Sequence, residues 1–323
     1  MVRLDLTIDL EYQVLQPTEF VFKFHAVETP RQKVGLKHLI IPPNTPSTIE
    51  SCRNFGNLHL RFHAEPGPLT LQYSALVDIS HYLTAPETLR EVPVAKLPID
   101  VLQYLYPSRY CPSDRFYQIA LQEFGGVAPG YGRVLAIRDW VYSRTRFQPG
   151  TTNSFNCAMD TYNDKIGVCR DFTHLMISLC RALNIPARFV TSIDYGADPA
   201  LGPPDFHAYV EVYLSGRWYI FDPTNICVTT GLIRIATGYD ASDVAFATIF
   251  GNVMWTVPKV SIFAHDDPAA GITLPSPTTL AISTSGPREA RPTMASAARA
   301  ANELQSVLPV TSLLAELPVQ GAA

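Results

Sequence analysis

Two β-rich runs, Phe206–Leu214 and residues 217–222, enclose the dipeptide Ser215-Gly216, a pattern that admits little but a tight antiparallel hairpin. With that dipeptide as the turn, Leu214 faces Arg217, Tyr209 faces Asp222, and His207 lies two positions further along the first arm. Side chains alternate with period two, so His207, Tyr209 and Asp222 share one face of the sheet. Diagonal neighbours sit roughly 7–8 Å apart at Cα, close enough for an imidazole to meet a carboxylate. A slip of one residue would turn Asp222 to the other face. Pro223 ends the second arm because it has no N–H for the ladder.

Ahead of the hairpin, Cys169 is followed by Phe172, Leu175, Met176, Leu179 and Leu183, the spacing of one apolar helical face. Asn184 and Pro186 stop this helix, Gly167 gives a flexible entry, and Asp171 and Arg181 suit the dipole at its first and last turns. Cys169 therefore opens the helix. Unpaired N–H groups at a helix start favour a thiolate over a thiol, which makes a cysteine there a candidate nucleophile. Cys169, His207 and Asp222 in this order form a candidate thiol triad.

Four segments carry a family resemblance: Gly167-Val168-Cys169-Arg170-Asp171-Phe172-Thr173-His174-Leu175, Arg181-Ala182-Leu183-Asn184-Ile185-Pro186-Ala187-Arg188, His207-Ala208-Tyr209-Val210-Glu211-Val212 and Trp218-Tyr219-Ile220-Phe221-Asp222-Pro223-Thr224-Asn225. Together they resemble the transglutaminase-like superfamily, and more narrowly its bacterial candidate cysteine proteases, which carry a β-rich region before that core. Gly238-Tyr239-Asp240-Ala241-Ser242-Asp243-Val244 is similar to a segment after the core in the same group. The resemblance covers roughly residues 1–265. It implies a papain-like α+β core with Cys169 as nucleophile, His207 as base and Asp222 as the group that orients the base.

Composition narrows the functional classes. The chain has 323 residues, 47% of them hydrophobic, and a net charge of −4. That describes a globular protein with room for two modest domains and a tail. Without a basic stripe, no nucleic-acid partner is expected. No apolar run reaches the length of a membrane span, so no membrane partner is expected either. Leu4, Leu6, Ile8 and Leu10 alternate with Asp5, Thr7 and Asp9, which reads as a half-buried strand rather than a signal peptide. Cytoplasmic residence with reduced thiols is the resulting expectation.

The six cysteines, Cys52, Cys111, Cys157, Cys169, Cys180 and Cys227, contain no C-x-x-C pair and no histidines at zinc spacing, so neither a metal nor a disulfide is expected. Cys180, beside Leu179, reads as a core thiol.

Residues 1–92 read as a β-sandwich, with strands at 3–10, 19–27, 58–63 and 69–78 broken by prolines. Residues 93–265 read as the catalytic α+β core with an antiparallel sheet. Ser113 is the expected N-cap of a helix over 114–124, and a second helix is expected at 133–146. Strands are expected at 187–194 and 232–236. Residues 266–323, rich in Pro, Ala, Ser and Thr, are expected to be a mostly disordered tail, with one short helix possible at 297–308 and a docking segment at 307–317.

Among other candidates, His174 falls on a different helical face from Cys169 and reads as a packing residue. Asp171 reads as a cap, and Asp240 and Asp243 as caps near the rim of the site. His25, His38, His59, His63, His81 and His265 show no acidic or thiol neighbour pattern. Tyr209 and Trp218 read as packing residues, and Asn163 and Gln148 as conceivable side-chain oxyanion donors. The expected chemistry is cysteine-dependent acyl transfer on a peptide or protein amide, by hydrolysis and without a cofactor. Transfer to a lysine amine, as in a protein-glutamine transglutaminase, or a non-catalytic peptide-binding module are the alternatives, as is a site covered by the sandwich or the tail.

Overall fold

The computed structural model describes residues 1–43, 45–52, 55–196 and 204–286. The segments expected at 297–308 and 307–317, and the tip of the rim loop 195–205, lie outside these residues.

The chain opens with β1 (Val2–Val14), β2 (Thr18–Phe22), β3 (Gln32–Ile40), β4 (Ser47–Ser51), β5 (Leu58–Ala64), β6 (Gly67–Ile79) and the short β7 (Tyr82–Thr84). Strict alternation buries every even-numbered side chain of β1, and β6 runs antiparallel beside it over its whole length. Three of these strands, β3, β4 and the short β7, escape a sequence reading, the first two for evident physical reasons. β3 carries a register shift between Gly35 and His38 and exposes Leu36 and Ile40, so its alternation breaks. All of β4 is exposed. Aromatic rings fill the sandwich interior: Phe20 stacks on Phe22 and Phe62 of its own sheet, and Tyr12 from the facing sheet lies edge-on to Phe20.

The core follows as α1 (Ile99–Leu102), α2 (Tyr117–Phe124), α3 (Tyr131–Arg144), β8 (Arg146–Phe147), α4 (Ala158–Asp164), β9 (Ile166–Gly167), α5 (Cys169–Ala182), β10 (Ala187–Asp194), β11 (Phe206–Leu214), β12 (Arg217–Phe221), β13 (Leu232–Gly238) and α6 (Ala241–Val244). Ser113 does not cap α2. It begins a 3₁₀ turn, Ser113–Phe116, that runs into the helix without a side-chain cap. The central sheet is antiparallel in the order β12-β11-β10-β13. Helix α5 is buried from Asp171 to Ala182, with α2, α3 and α4 against it and β10 and β11 beneath. This arrangement is α+β.

After α6 come β14 (Ala247–Phe250), β15 (Val253–Trp255), β16 (Lys259–Ala264) and β17 (Ala281–Ser283). They correct the expected partition at two places. β14 pairs with β2, while β15 and β16 pair with the free side of β1, so residues 247–264 complete the N-terminal sandwich instead of ending the core. Residues 266–286 are not a loose tail either. β17 pairs with β7, Ile282 is buried against Val190, Tyr209, Ile220 and Leu232, and Thr284 Oγ1 accepts from Arg234.

Ending the chain after Asp267 removes that strand and uncovers this apolar face. Burying one such isoleucine is worth about 1.5–3 kcal/mol, so with its neighbours the loss should reach ~3 kcal/mol. Urea unfolding of chains ending at Asp267 and at Gly286 will measure it, and equal midpoints would show that the segment contributes nothing.

Candidate active site

The hairpin forms in the expected register. Leu214 lies opposite Arg217 and Val210 opposite Phe221, where the ladder ends one residue before Asp222. Ser215 and Gly216 both have positive φ, 47° and 85°, as a two-residue turn between right-twisted strands requires. His207 and Asp222 consequently meet: His207 Nε2 lies 3.3 Å from Asp222 Oδ1, and both side chains are buried. The pair is within ion-pair range, yet its geometry falls short of a formed hydrogen bond, and Nε2 has no other partner.

Cys169 opens α5. The residue before it, Val168, donates its N–H to Asp171 Oδ2 at 2.9 Å, so Asp171 caps the helix, and Thr152 Oγ1 donates to the other carboxylate oxygen. Gly167 is needed here for close approach: a Cβ on it would lie 2.7 Å from Asp171 Cβ. The parallel pair β8–β9 ties the preceding loop down, with Gln148 N–H donating to Gly167 O at 2.9 Å. As first residue of the helix, Cys169 has an N–H without an intrahelical acceptor. Its sulfur also contacts the His207 ring.

Burial disfavours a charge on His207, but the carboxylate of Asp222, the Cys227 sulfur and the contact with Cys169 outweigh it and raise the ring well above its ordinary pKa of 6.5. Burial likewise opposes the Asp222 carboxylate. The charge on His207 and hydrogen bonds from Thr224 and Cys227 prevail and hold it well below the usual carboxylate range.

Two of these partners went unread in the sequence. Thr224 donates from N and Oγ1 to Asp222 Oδ1 at 3.0 and 2.7 Å, and Cys227 donates from Sγ to Oδ2 at 3.1 Å. An aspartate followed two positions later by threonine is an Asx-turn signal that could have pointed to Thr224. Nothing local marks Cys227. Burial first, and the neighbouring Asp222 charge second, push its thiol pKa up.

A small apolar cleft of about 160 Å³ opens over Cys169 and His207, walled by Phe189, Thr191, Phe206, Val244 and Phe246. Neither Asn163 nor Gln148 lines it. A larger cleft, about 630 Å³, runs past Asp222, Asn225 and Cys227. Residues 277–280 form part of the wall of this second cleft and none of the first.

The remaining candidates take structural roles. His174 is buried, stacks on Tyr110 and accepts from the Ala241 N–H at 3.1 Å; burial brings its pKa down to about 3. Asp240 caps α6 and also accepts from the Tyr110 N–H, and Asp243 accepts from the Tyr239 N–H. Tyr209 and Trp218 are buried packing residues. Cys111 and Cys180 are fully buried. Contrary to expectation, two histidines have acidic neighbours: His63 on β5 lies 2.8 Å from Glu19, its cross-strand partner, and His265, just after β16, lies 2.7 Å from Asp5.

A β-sandwich followed by an α+β core, with a cysteine at the start of the central helix and a His–Asp pair on the adjoining hairpin, defines a transglutaminase-like architecture. The comparisons with known proteins agree. Residues 118–223 match the model of the transglutaminase-like superfamily, and residues 2–100 match the bacterial transglutaminase N-terminal domain. A candidate cysteine protease from Cytophaga hutchinsonii is 38% identical with a TM-score of 0.81, covering 87% of this chain and 97% of that one. Uncharacterized protein ML0607 of Mycobacterium leprae is 32% identical over 117 residues, 35% of this chain and 42% of the relative, so the match spans less than half of that protein. The chain belongs to the transglutaminase-like superfamily, with a bacterial transglutaminase N-terminal domain ahead of the core.

Proposed function

We propose that this protein is a cysteine-dependent amide hydrolase, a peptidase or amidase acting through a thioester on Cys169. The observation that supports it best is the buried Asp222 carboxylate 3.3 Å from a His207 ring that also contacts Cys169 at the start of α5. The family resemblance to a candidate cysteine protease adds to it.

In the proposed reaction the Cys169 thiolate attacks the carbonyl carbon of a peptide or protein amide, and the Cys169 N–H stabilises the oxyanion. His207 gives its proton to the departing amine as the C–N bond breaks. It then takes a proton from water, whose oxygen attacks the thioester, and the proton returns to the sulfur as the acid leaves. Asp222 fixes the ring and steadies its positive charge.

Water is favoured as acceptor because, among the described residues, no carboxylate lines the cleft at Cys169 to receive a lysine ammonium, and Arg170 is the charged residue beside the sulfur and ring. The apolar walls favour an apolar substrate side chain next to the bond cleaved. A reducing, cytoplasmic setting is also proposed, in keeping with six free thiols.

The test is a peptide-library digestion with and without a fluorescent primary amine. Hydrolysis products are expected to dominate, and Cys169→Ser should lower turnover by about 10⁴-fold or more. Amine incorporation exceeding hydrolysis would transfer the assignment to a transglutaminase. Turnover surviving in the serine variant, or none at all in the wild type, would discard the enzyme reading.

A further inference from the structure

Three donors of different chemistry converge behind the His207 ring. A ring nitrogen of His207, a carboxylate oxygen of Asp222 and Sγ of Cys227 all lie within 4.8 Å of one another. Asp222 Oδ1 is 3.3 Å from Nε2, and Oδ2 is 3.1 Å from Sγ. A tetrahedral ion with bonds of about 2.0–2.3 Å spaces its ligands by about 3.3–3.8 Å, so small side-chain shifts would close the set. Nε2 faces the Asp222 carboxylate without a well-formed hydrogen bond, although His207 is only 5% exposed. Access is provided as well: Asp222 and Cys227 line the 630 Å³ cleft, on which a water could take a fourth position. Arg138, also on that cleft, lies 2.7 Å from Asp139 and donates to Asn225.

We propose that His207, Asp222 and Cys227 form an inhibitory site for a borderline-soft divalent cation of the zinc type, entered from the larger cleft. Imidazole, carboxylate and thiolate are the ligand types that zinc prefers, and one thiolate with one carboxylate balances its charge in a buried place. Binding releases two protons to solvent, from the Cys227 thiol and from Nε2, and forms metal–sulfur, metal–nitrogen and metal–oxygen bonds without any redox change.

The inhibitory consequence rests on the proposed role of His207 as proton carrier. With a cation on Nε2, the ring keeps a single N–H. Passing that proton to a departing amine would leave an imidazolate, so acylation stalls. The cation would also draw Asp222 away from its orienting position.

Cobalt titration of the full chain reads the site directly, whatever the protein's catalytic activity. One equivalent of Co²⁺ should produce a thiolate-to-cobalt charge-transfer band with tetrahedral d–d absorption, and Zn²⁺ should displace it. The band should persist in Cys169→Ser, vanish in Cys227→Ser, and need at least about tenfold more cobalt in His207→Ala. Absence of the band in the wild type would overturn the proposal. So would its loss in Cys169→Ser or its survival in Cys227→Ser, since the ion would then sit on another thiol. Should Cys227→Ser fail to fold by circular dichroism, thiol mapping of the wild type decides: Zn²⁺ must slow maleimide labelling of Cys227 by about tenfold or more, and an unchanged rate refutes the site.

Discussion

At pH 6.5, iodoacetamide should alkylate Cys169 at least about tenfold faster than Cys52 or Cys157, and His207→Ala should remove that advantage. The positive His207 ring and the start of α5 both favour the negative charge that gathers on the sulfur as the carbon–sulfur bond forms, and an ordinary thiol has neither. The other cysteines lack this arrangement. Cys111 and Cys180 are sealed in the core, and Cys227 donates its proton to Asp222. Peptide mapping after timed labelling gives each rate separately. A Cys169 no faster than Cys52 or Cys157 would remove the basis for the triad.

The same pair makes a signed statement about pH. His207 is raised in the folded state, so its contribution to stability is complete below about 6.5 and is lost as pH rises through its folded value. Asp222 is depressed, so its contribution is complete above about 4 and is lost as pH falls toward its folded value. The stability gap between wild type and Asp222→Asn should therefore be widest between about pH 4 and 6.5 and narrow on both sides. Urea unfolding at pH 3, 5.5 and 9 would reveal it. A gap independent of pH would mean that the asparagine acts only through packing.

Glu211→Ala should destabilise the fold by about 3–5 kcal/mol, the largest effect on stability expected of a single residue away from the site. Glu211 is fully buried on β11, and two arginines converge on it. Arg188, its cross-strand partner on β10, donates from Nε to Oε2 at 2.8 Å, and Arg234 on β13 bonds Oε1. Arg188 is further sandwiched over Trp218, 4.2 Å from the ring centroid. Burial lowers the pKa of both guanidinium groups, yet they remain cations. Removing the one carboxylate they share leaves two like charges without a counter-ion in the sheet interior, which costs far more than the pair interaction itself contributes. Urea midpoints of the alanine variant, with Glu211→Gln as a milder comparison that keeps the shape, will measure this. A loss under about 1 kcal/mol would show that water or backbone movement rescues the arginines.

Local periodicity made much of the core legible. The spacing of Phe172, Leu175, Met176 and Leu179 marked α5 almost to its ends, because one apolar stripe is all that a helix among other elements must bury. Val-, Tyr- and Phe-rich alternation around Ser215-Gly216 marked the hairpin and its register, with the second arm one residue shorter than expected, since a two-residue turn leaves a single register. From that register alone His207 and Asp222 were bound to face each other. The strands β3 and β4 stayed hidden because a bulge in one and full exposure of the other erase alternation. Residues 281–283 were hidden because Pro- and Ser-rich composition signals poor burial, whereas β7 and the apolar face around Tyr209 and Ile220 supply the partners that the segment lacks.

Elements and contacts whose partners lie within a few turns or one hairpin follow from local chain order: α5 with Cys169 at its start, and His207 against Asp222. Tertiary structure alone decided the return of β15 and β16 to β1 across some 240 residues of chain, the shared burial of Glu211 by Arg188 and Arg234, and the placing of Cys227 behind the histidine ring. The physical reason is that such contacts come from surfaces brought together only when separate elements pack, and an isolated residue such as Cys227 carries no periodicity to announce which surface it will meet.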